Sequence, residues 1–177
     1  MGRNTGSALE TLIENSAYGL EGQGLSLRLT TPPFKGRVGS DGRASGYFAA
    51  KGGLDFTGDY YGQAVYIDAK VVSGDTLPIN ERCLKPHQVE IVRLAATRGA
   101  VAFFLVEVVN GFTSDYWALG WDVLAGYVEA AATGGRKSIP VKDLKAQAWP
   151  IALKPAGLDL IGAVKEMRDR RRGARVG

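Results

Sequence analysis

Three side chains carry the first sign of chemistry: Asp55, Asp68 thirteen positions later, and Lys70 two beyond that. Residues 54–71 read as two short strands joined by a Gly-containing turn. On the second strand, alternation sets Val65, Ile67, Ala69 and Val71 on one face and Tyr66, Asp68 and Lys70 on the other, so carboxylate and ammonium point the same way. An apolar strand with an acid and a base side by side needs a salt bridge or a task. Phosphodiester hydrolysis is a task that fits. It needs water attacking in line with the leaving oxygen, and positive charge where negative charge develops, and one or two Mg²⁺ ions held by carboxylates supply both. Magnesium keeps several waters and takes only one or two carboxylates, so Asp55 and Asp68, with Glu10 as a third candidate, form a sparse site of suitable hardness. Lys70 would then orient or deprotonate the attacking water, or neutralise the transition state. The same spacing also fits a structural Asp–Lys pair on a solvent-facing strand.

The elements around this strand must deliver the remaining groups. A helix is expected over residues 5–20, with Leu9, Leu12, Ile13 and Leu20 as its buried stripe and Gly22 or Gly24 ending it. Glu10 falls at the edge of that stripe, where it either leans toward a site or sits as a solvated first-turn carboxylate. A second helix opens near Pro86 and closes at Gly99, with Gln88, Ile91, Val92 and Ala95 facing inward. Two roles are open for Gln88: capping a neighbouring strand's backbone, or reaching the acids. Glu10 and Gln88 are thus each carried on a helix, with both roles open for each. Residues 24–31 alternate as a half-buried strand. Residues 100–109 are continuously apolar and read as a central strand, with residues 114–119 as its hairpin neighbour. A short helix carrying Leu124, Tyr127, Val128 and Ala131 ends at Gly134-Gly135. The loop Gly134-Gly135-Arg136-Lys137-Ser138 then offers two cations, a hydroxyl and free backbone amides to a phosphate. Residues 140–164 read as a helical or irregular closing segment.

Composition bounds the rest. A chain of 177 residues, 45% hydrophobic and 23% charged, fits one α/β domain with a core of its own, and no apolar run approaches membrane-spanning length. A lone Cys83 precludes an internal disulfide, and a reducing cytoplasm is the simplest address. Cys83 reads as a small apolar filler, and the single His87 makes no ligand cluster. The net charge of +4 is concentrated: residues 165–177 alone carry six cations against two acids and leave residues 1–164 neutral. The domain is therefore set at residues 1–164 with a basic tail at 165–177. A Gly-rich arm at about 32–53 carries Lys35, Arg37, Arg43 and Lys51 against Asp41, with Tyr47-Phe48 as its apolar pair. Tyr47 is a candidate to stack on a base, and Phe48 to pack the arm onto the body. Cationic segments of this kind suit a polyanion, most simply nucleic acid, though a basic end can also serve solubility alone.

Four stretches in order resemble one family. Tyr47-Phe48 followed by Asp55, then Tyr66-Ile67-Asp68-Ala69-Lys70, then His87-Gln88, then Gly134-Gly135-Arg136-Lys137-Ser138-Ile139, are similar to motifs of the RecU Holliday junction resolvases. These belong to the PD-(D/E)xK nuclease superfamily. The resemblance implies a restriction-endonuclease-like mixed β-sheet flanked by helices, with a protruding arm. It implies Asp55, Asp68 and Glu10 as metal ligands, Lys70 as the catalytic lysine and Gln88 as an active-site residue. It implies Mg²⁺ as cofactor with Mn²⁺ able to substitute, a homodimer, and branched DNA, the four-way junction, as substrate. Lys35, Arg37, Arg43, Lys51, Tyr47, Arg136, Lys137 and Ser138 are the expected DNA contacts. The chain departs from the family in having Asp68 where Glu is common, and in a shorter, more Gly-rich arm. Two other readings stand beside it: a nuclease of the same superfamily acting on flaps, ends or duplex, and a non-catalytic DNA-binding module.

Overall fold

The computed structural model describes residues 5–30, 34–38, 44–48 and 53–173. In chain order, α1 (Thr5–Ala17), a 3-10 turn and β1 (Leu25–Leu29) precede a separate pair of strands, β2 (Phe34–Val38) and β3 (Ala44–Phe48). Then come β4 (Phe56–Tyr60), β5 (Gln63–Val72), β6 (Thr76–Pro78), α2 (Pro86–Arg98), β7 (Val101–Asn110), β8 (Thr113–Gly120) and α3 (Trp121–Ala132). The chain closes with β9 (Ser138–Pro140), α4 (Val141–Gln147), β10 (Trp149–Ile151), the short pair β11 (Leu153–Lys154) and β12 (Gly157–Leu158), and α5 (Leu160–Gly173).

Six strands form one mixed sheet in the order β1-β4-β5-β7-β8-β10. Every neighbouring pair is antiparallel except β5 and β7, which run parallel. The β4–β5 hairpin turns through Tyr61 and Gly62 at φ 47° and 77°, the positive values that a two-residue turn requires to match the twist of its strands. Asp59 Oδ2 accepts the Gly62 amide at 2.9 Å and fixes the corner. The parallel neighbour must be reached by a crossover, and β6 and α2 supply it.

The two faces of the sheet build two cores. On one, Val65, Ile67, Val101, Phe103 and Leu105 pack with Leu9 and Ile13 of α1 and with Leu160, Ala163, Val164 and Met167 of α5. On the other, Val72, Ala102, Phe104, Val106 and Val108 pack with Val89 and Val92 of α2, Leu124 of α3 and Leu144 of α4. Phe103 and Phe104 are both fully buried and point to opposite faces. Each such ring contributes about 2–3 kcal/mol, so adjacent residues tie the two layers through one strand. The continuous apolar run expected to be central is the fourth of the six strands.

Several elements differ from expectation, each for a physical reason. The first helix stops at Ala17, because the chain turns left-handed at Gly19 with φ 80° before either later glycine is reached. The arm contributes an antiparallel pair with Phe34 opposite Phe48 and Lys35 opposite Tyr47; the rest of that segment, including Arg43 and Lys51, lies outside the described residues. The closing segment is more ordered in plan than its pattern suggests. It supplies an edge strand, β10, paired to β8, where Pro150 leaves no ladder amide to lose on an edge. Beyond it, α5 runs unbroken through position 164, and Met167 is 6% exposed.

Candidate active site

β5 lies between β4 and β7 with both faces covered, so a charged residue in its middle must be buried. Asp68 is fully buried. A buried carboxylate is tolerated only with partners, and Asp68 has two. Its Oδ1 accepts a hydrogen bond from Gln88 Nε2 at 2.6 Å. Its Oδ2 is ion-paired with the Lys70 ammonium. Even so, Asp68 is pushed up from 3.8 to about 6: burial is the largest cause, Lys70 opposes it, and the neighbouring Asp55 charge adds to it.

Asp55 stands one residue ahead of β4. Its Oδ2 accepts the Ala69 amide at 2.9 Å, and its carbonyl accepts the Thr30 amide at 2.7 Å, which fastens the chain leaving β1 to the same spot. Asp55 is therefore tied to the backbone of β5 directly beside Asp68. Lys70 follows on the same face of β5, its side chain 12% exposed and its Nζ 5.8 Å from the centre of the Phe104 ring. Gln88 comes from the first turn of α2, which Pro86 opens, and is 4% exposed. Of its two open roles, the structure selects the bond to the acid. Its Oε1 has no hydrogen-bond partner within the protein.

Glu10 is carried on α1 and is electrostatically coupled to Asp55 and Lys70. α1 packs on the opposite face of the sheet from α2, so Glu10 approaches Asp55 and Lys70 from the other side. It is half-buried, and its carboxyl is raised by burial first, then by the charges of Asp55 and Glu14, with Lys70 opposing. Leu9 and Ile13 commit α1 to the first core, while Gln88 reaches Asp68 from α2 in the second. Among the described residues no group of three acids, histidines or cysteines is arranged to hold a metal. The oxygen donors that do meet are Asp55 and Asp68. Two carboxylates with repelling charges, one of them buried, beside a free amide oxygen, form a hard donor set that fits a magnesium ion completing its shell with water and substrate oxygens.

The loop expected to cradle phosphate connects α3 to β9. Arg136 and Lys137 are exposed, and Ser138 is half-buried at the start of β9. The Gly135 amide is not free: it donates to the Ala130 carbonyl at 2.8 Å, because the chain there is finishing α3. No hydrogen bond or ion pair among the described residues links this loop to the acids. Lys35, Arg37 and Tyr47 occupy β2 and β3.

Two residues absent from the sequence-derived set belong to the surroundings of the site. Phe104 underlies Lys70, and alternation would have identified it only once the Asp68–Phe104 register was known. Cys83 is half-buried within the second core, and burial pushes its thiol up, with Lys70 the main opposing charge. It remains a filler, as its composition suggested.

No curated protein matches the chain. A family model does, over residues 4–166: that of recombination protein U, RecU. The match takes in all four stretches that resemble the family and every residue of the buried cluster. This chain belongs to the RecU family, the Holliday junction resolvases of recombination.

Proposed function

We propose that the protein cleaves the four-way junction by metal-dependent phosphodiester hydrolysis at the Asp55–Asp68–Lys70–Gln88 cluster, as a homodimer. The observation that carries this reading is Asp68 itself. It is an acid held fully buried between a lysine and a glutamine, at a cost that a purely structural strand would avoid with an apolar residue.

Asp55 and Asp68 would hold the ion, with Glu10 near enough in charge to strengthen the site. When bound, Mg²⁺, or Mn²⁺ in its place, supplies positive charge at the scissile phosphate and acidifies water for in-line attack. Gln88 orients the Asp68 carboxylate through Oδ1. Lys70, beside the Asp68 carboxylate on the same strand face, would present its ammonium to the charge developing on phosphate. The apolar floor of Phe104 and Val106 excludes bulk water beneath it and strengthens these interactions. A two-fold pair of such sites matches a junction with two symmetric strands to nick. Lys35, Arg37, Tyr47, Arg43, Lys51, Arg136, Lys137 and Ser138 would contact DNA mainly through phosphates.

The test is cleavage of a synthetic four-way junction with Mg²⁺ and with EDTA, beside linear duplex and flap substrates. Paired symmetric nicks in the junction, lost in EDTA and in Asp68→Asn or Lys70→Ala, are expected, with junction binding largely kept. Wild-type cleavage by either variant would remove the site assignment. Equal cutting of flap or duplex would assign the site to another substrate.

A further inference from the structure

Phe112 is the most exposed large apolar residue described in this chain, at 110%. It sits with Gly111 at the tip of the β7–β8 hairpin, directly between the paired residues Asn110 and Thr113. The tip is held by the β7–β8 ladder, which pairs every residue from Asn110–Thr113 back to Phe103–Gly120, with Val108 the first buried residue beneath it. β5 and β7 run parallel with Lys70 opposite Val106, which puts Phe112 six residues further along the same direction. At about 3.3 Å per residue the tip lies roughly 20 Å from the acid cluster, at the end of the sheet toward which β5 points.

A cationic cavity adjoins this hairpin. It has a volume of about 530 Å³ and is lined by Arg136, Lys142 and Lys145 against a single acid, Asp75, with Thr76 offering a hydroxyl. Lys145 Nζ bonds Asp115 Oδ2 at 2.6 Å, and the same oxygen accepts from Asn110 Nδ2 at 3.0 Å. A chain of polar contacts therefore connects the cavity to the residue that precedes the tip. The acid nearest the ring is neutralised by that lysine.

We propose that the Gly111-Phe112 tip and this cavity form a second nucleic-acid contact, in which the Phe112 ring stacks on an unpaired base near the branch point while Arg136 and Lys142 hold flanking phosphates. An exposed aromatic beside a groove of cations is the arrangement that binds unstacked nucleic acid without regard to sequence. A second copy of the chain is a poorer occupant. The neighbours of the ring are Asn110, Gly111, Thr113, Ser114 and Asp115, all small or polar, and a lone ring falls far short of the roughly 800 Å² per partner of a stable interface. The proposal takes DNA as the ligand from the junction-cleaving reading, but not its chemistry.

The experiment reads binding in EDTA, so it stands whether or not the acid cluster proves catalytic. Four-way junctions carrying 2-aminopurine at successive positions from the branch point are titrated with full-length protein, Phe112→Ala and Phe112→Trp. A fluorescence change at one or two positions is expected with the wild type and with Phe112→Trp. It should be absent with Phe112→Ala, whose junction affinity should fall about ten- to one-hundred-fold. Arg136→Ala and Lys142→Ala should each reduce the slope of log affinity against log salt by about one. The fully exposed ring has no packing to lose, so Phe112→Ala should melt with the wild type. Wild-type affinity and fluorescence in Phe112→Ala would overturn the proposal, as would a change confined to the protein's sedimentation mass, which would assign the ring to a protein contact.

Discussion

Gln88 donates its side-chain amide to Asp68 Oδ1 at 2.6 Å, joining the first turn of α2 to the middle of β5 across 20 positions of sequence. Both groups are buried, so the bond is either kept whole or replaced at a cost. Gln88→Ala leaves Asp68 Oδ1 without a donor, and a loss of about 2 kcal/mol in chemical denaturation is expected, with reduced junction cleavage. Gln88→Glu sets an acid against an acid and should destabilise more at pH 8 than at pH 5. A variant equal to wild type in both assays would mean the bond positions nothing.

Asp68 gives the protein a pH dependence of definite sign. Its pKa is raised in the folded state, from 3.8 to about 6, so the folded chain binds this proton more tightly than the unfolded one. The contribution is favourable below pH 4 and is lost as pH rises to about 6, a swing of about 3 kcal/mol. Asp68→Asn carries no such proton. The stability of that variant relative to wild type should therefore rise between pH 4 and pH 7 by about that amount, read from urea midpoints at each pH. A constant difference would show that the carboxyl is not perturbed.

Gly58 is the point where β4 admits β1. It pairs with Leu27, and a methyl group there would collide with the Ser26 carbonyl oxygen and the Leu27 Cα, both backbone. Gly58→Ala is expected to cost about 1–3 kcal/mol and to loosen β1 first, visible as faster amide exchange at Leu25 and Leu27.

Ser16 holds the closing segment to the first helix. Its hydroxyl donates to the Leu12 carbonyl at 2.6 Å and accepts the Leu158 amide at 2.8 Å, with the residue 4% exposed. Ser16→Ala strands that amide and should lower stability by about 1–3 kcal/mol. Asp115→Ala breaks an ion pair between partners 32% and 49% exposed, and should cost less than about 1 kcal/mol.

The acids, the lysine and both bounds of α2 were legible from sequence because their signals are local: period-2 alternation, a proline that opens a helix and a glycine that closes it. Gln88 stayed ambiguous until the crossover had a position, since its partner is set by how α2 lies on the sheet. For Glu10 the stripe of Leu9 and Ile13 shows that α1 packs, without showing on which face of the sheet. The pairing of β2 with β3 rests on backbone ladders between Gly-rich stretches, which leave no hydrophobic period to read. In α5, Arg170 disguised a core helix as a solvated tail. Its guanidinium bonds Glu166, Asp122 and the Gln147 carbonyl while Leu160, Ala163, Val164 and Met167 face inward at helical spacing.

The parallel pairing of β5 with β7 also bears on when the protein becomes active. Asp55, Asp68, Lys70 and Gln88 all precede Val101 in the chain, and the β4–β5 hairpin can close on its own within microseconds. The floor beneath Lys70 and the strand that buries Asp68 arrive only with β7, through a contact between residues 36 positions apart, Val65 and Val101. Such long-range closure is the slow step of folding. A chain still emerging from the ribosome thus carries every residue of the cluster and no assembled cluster, so whatever Asp68 and Lys70 do together waits until the sheet is complete.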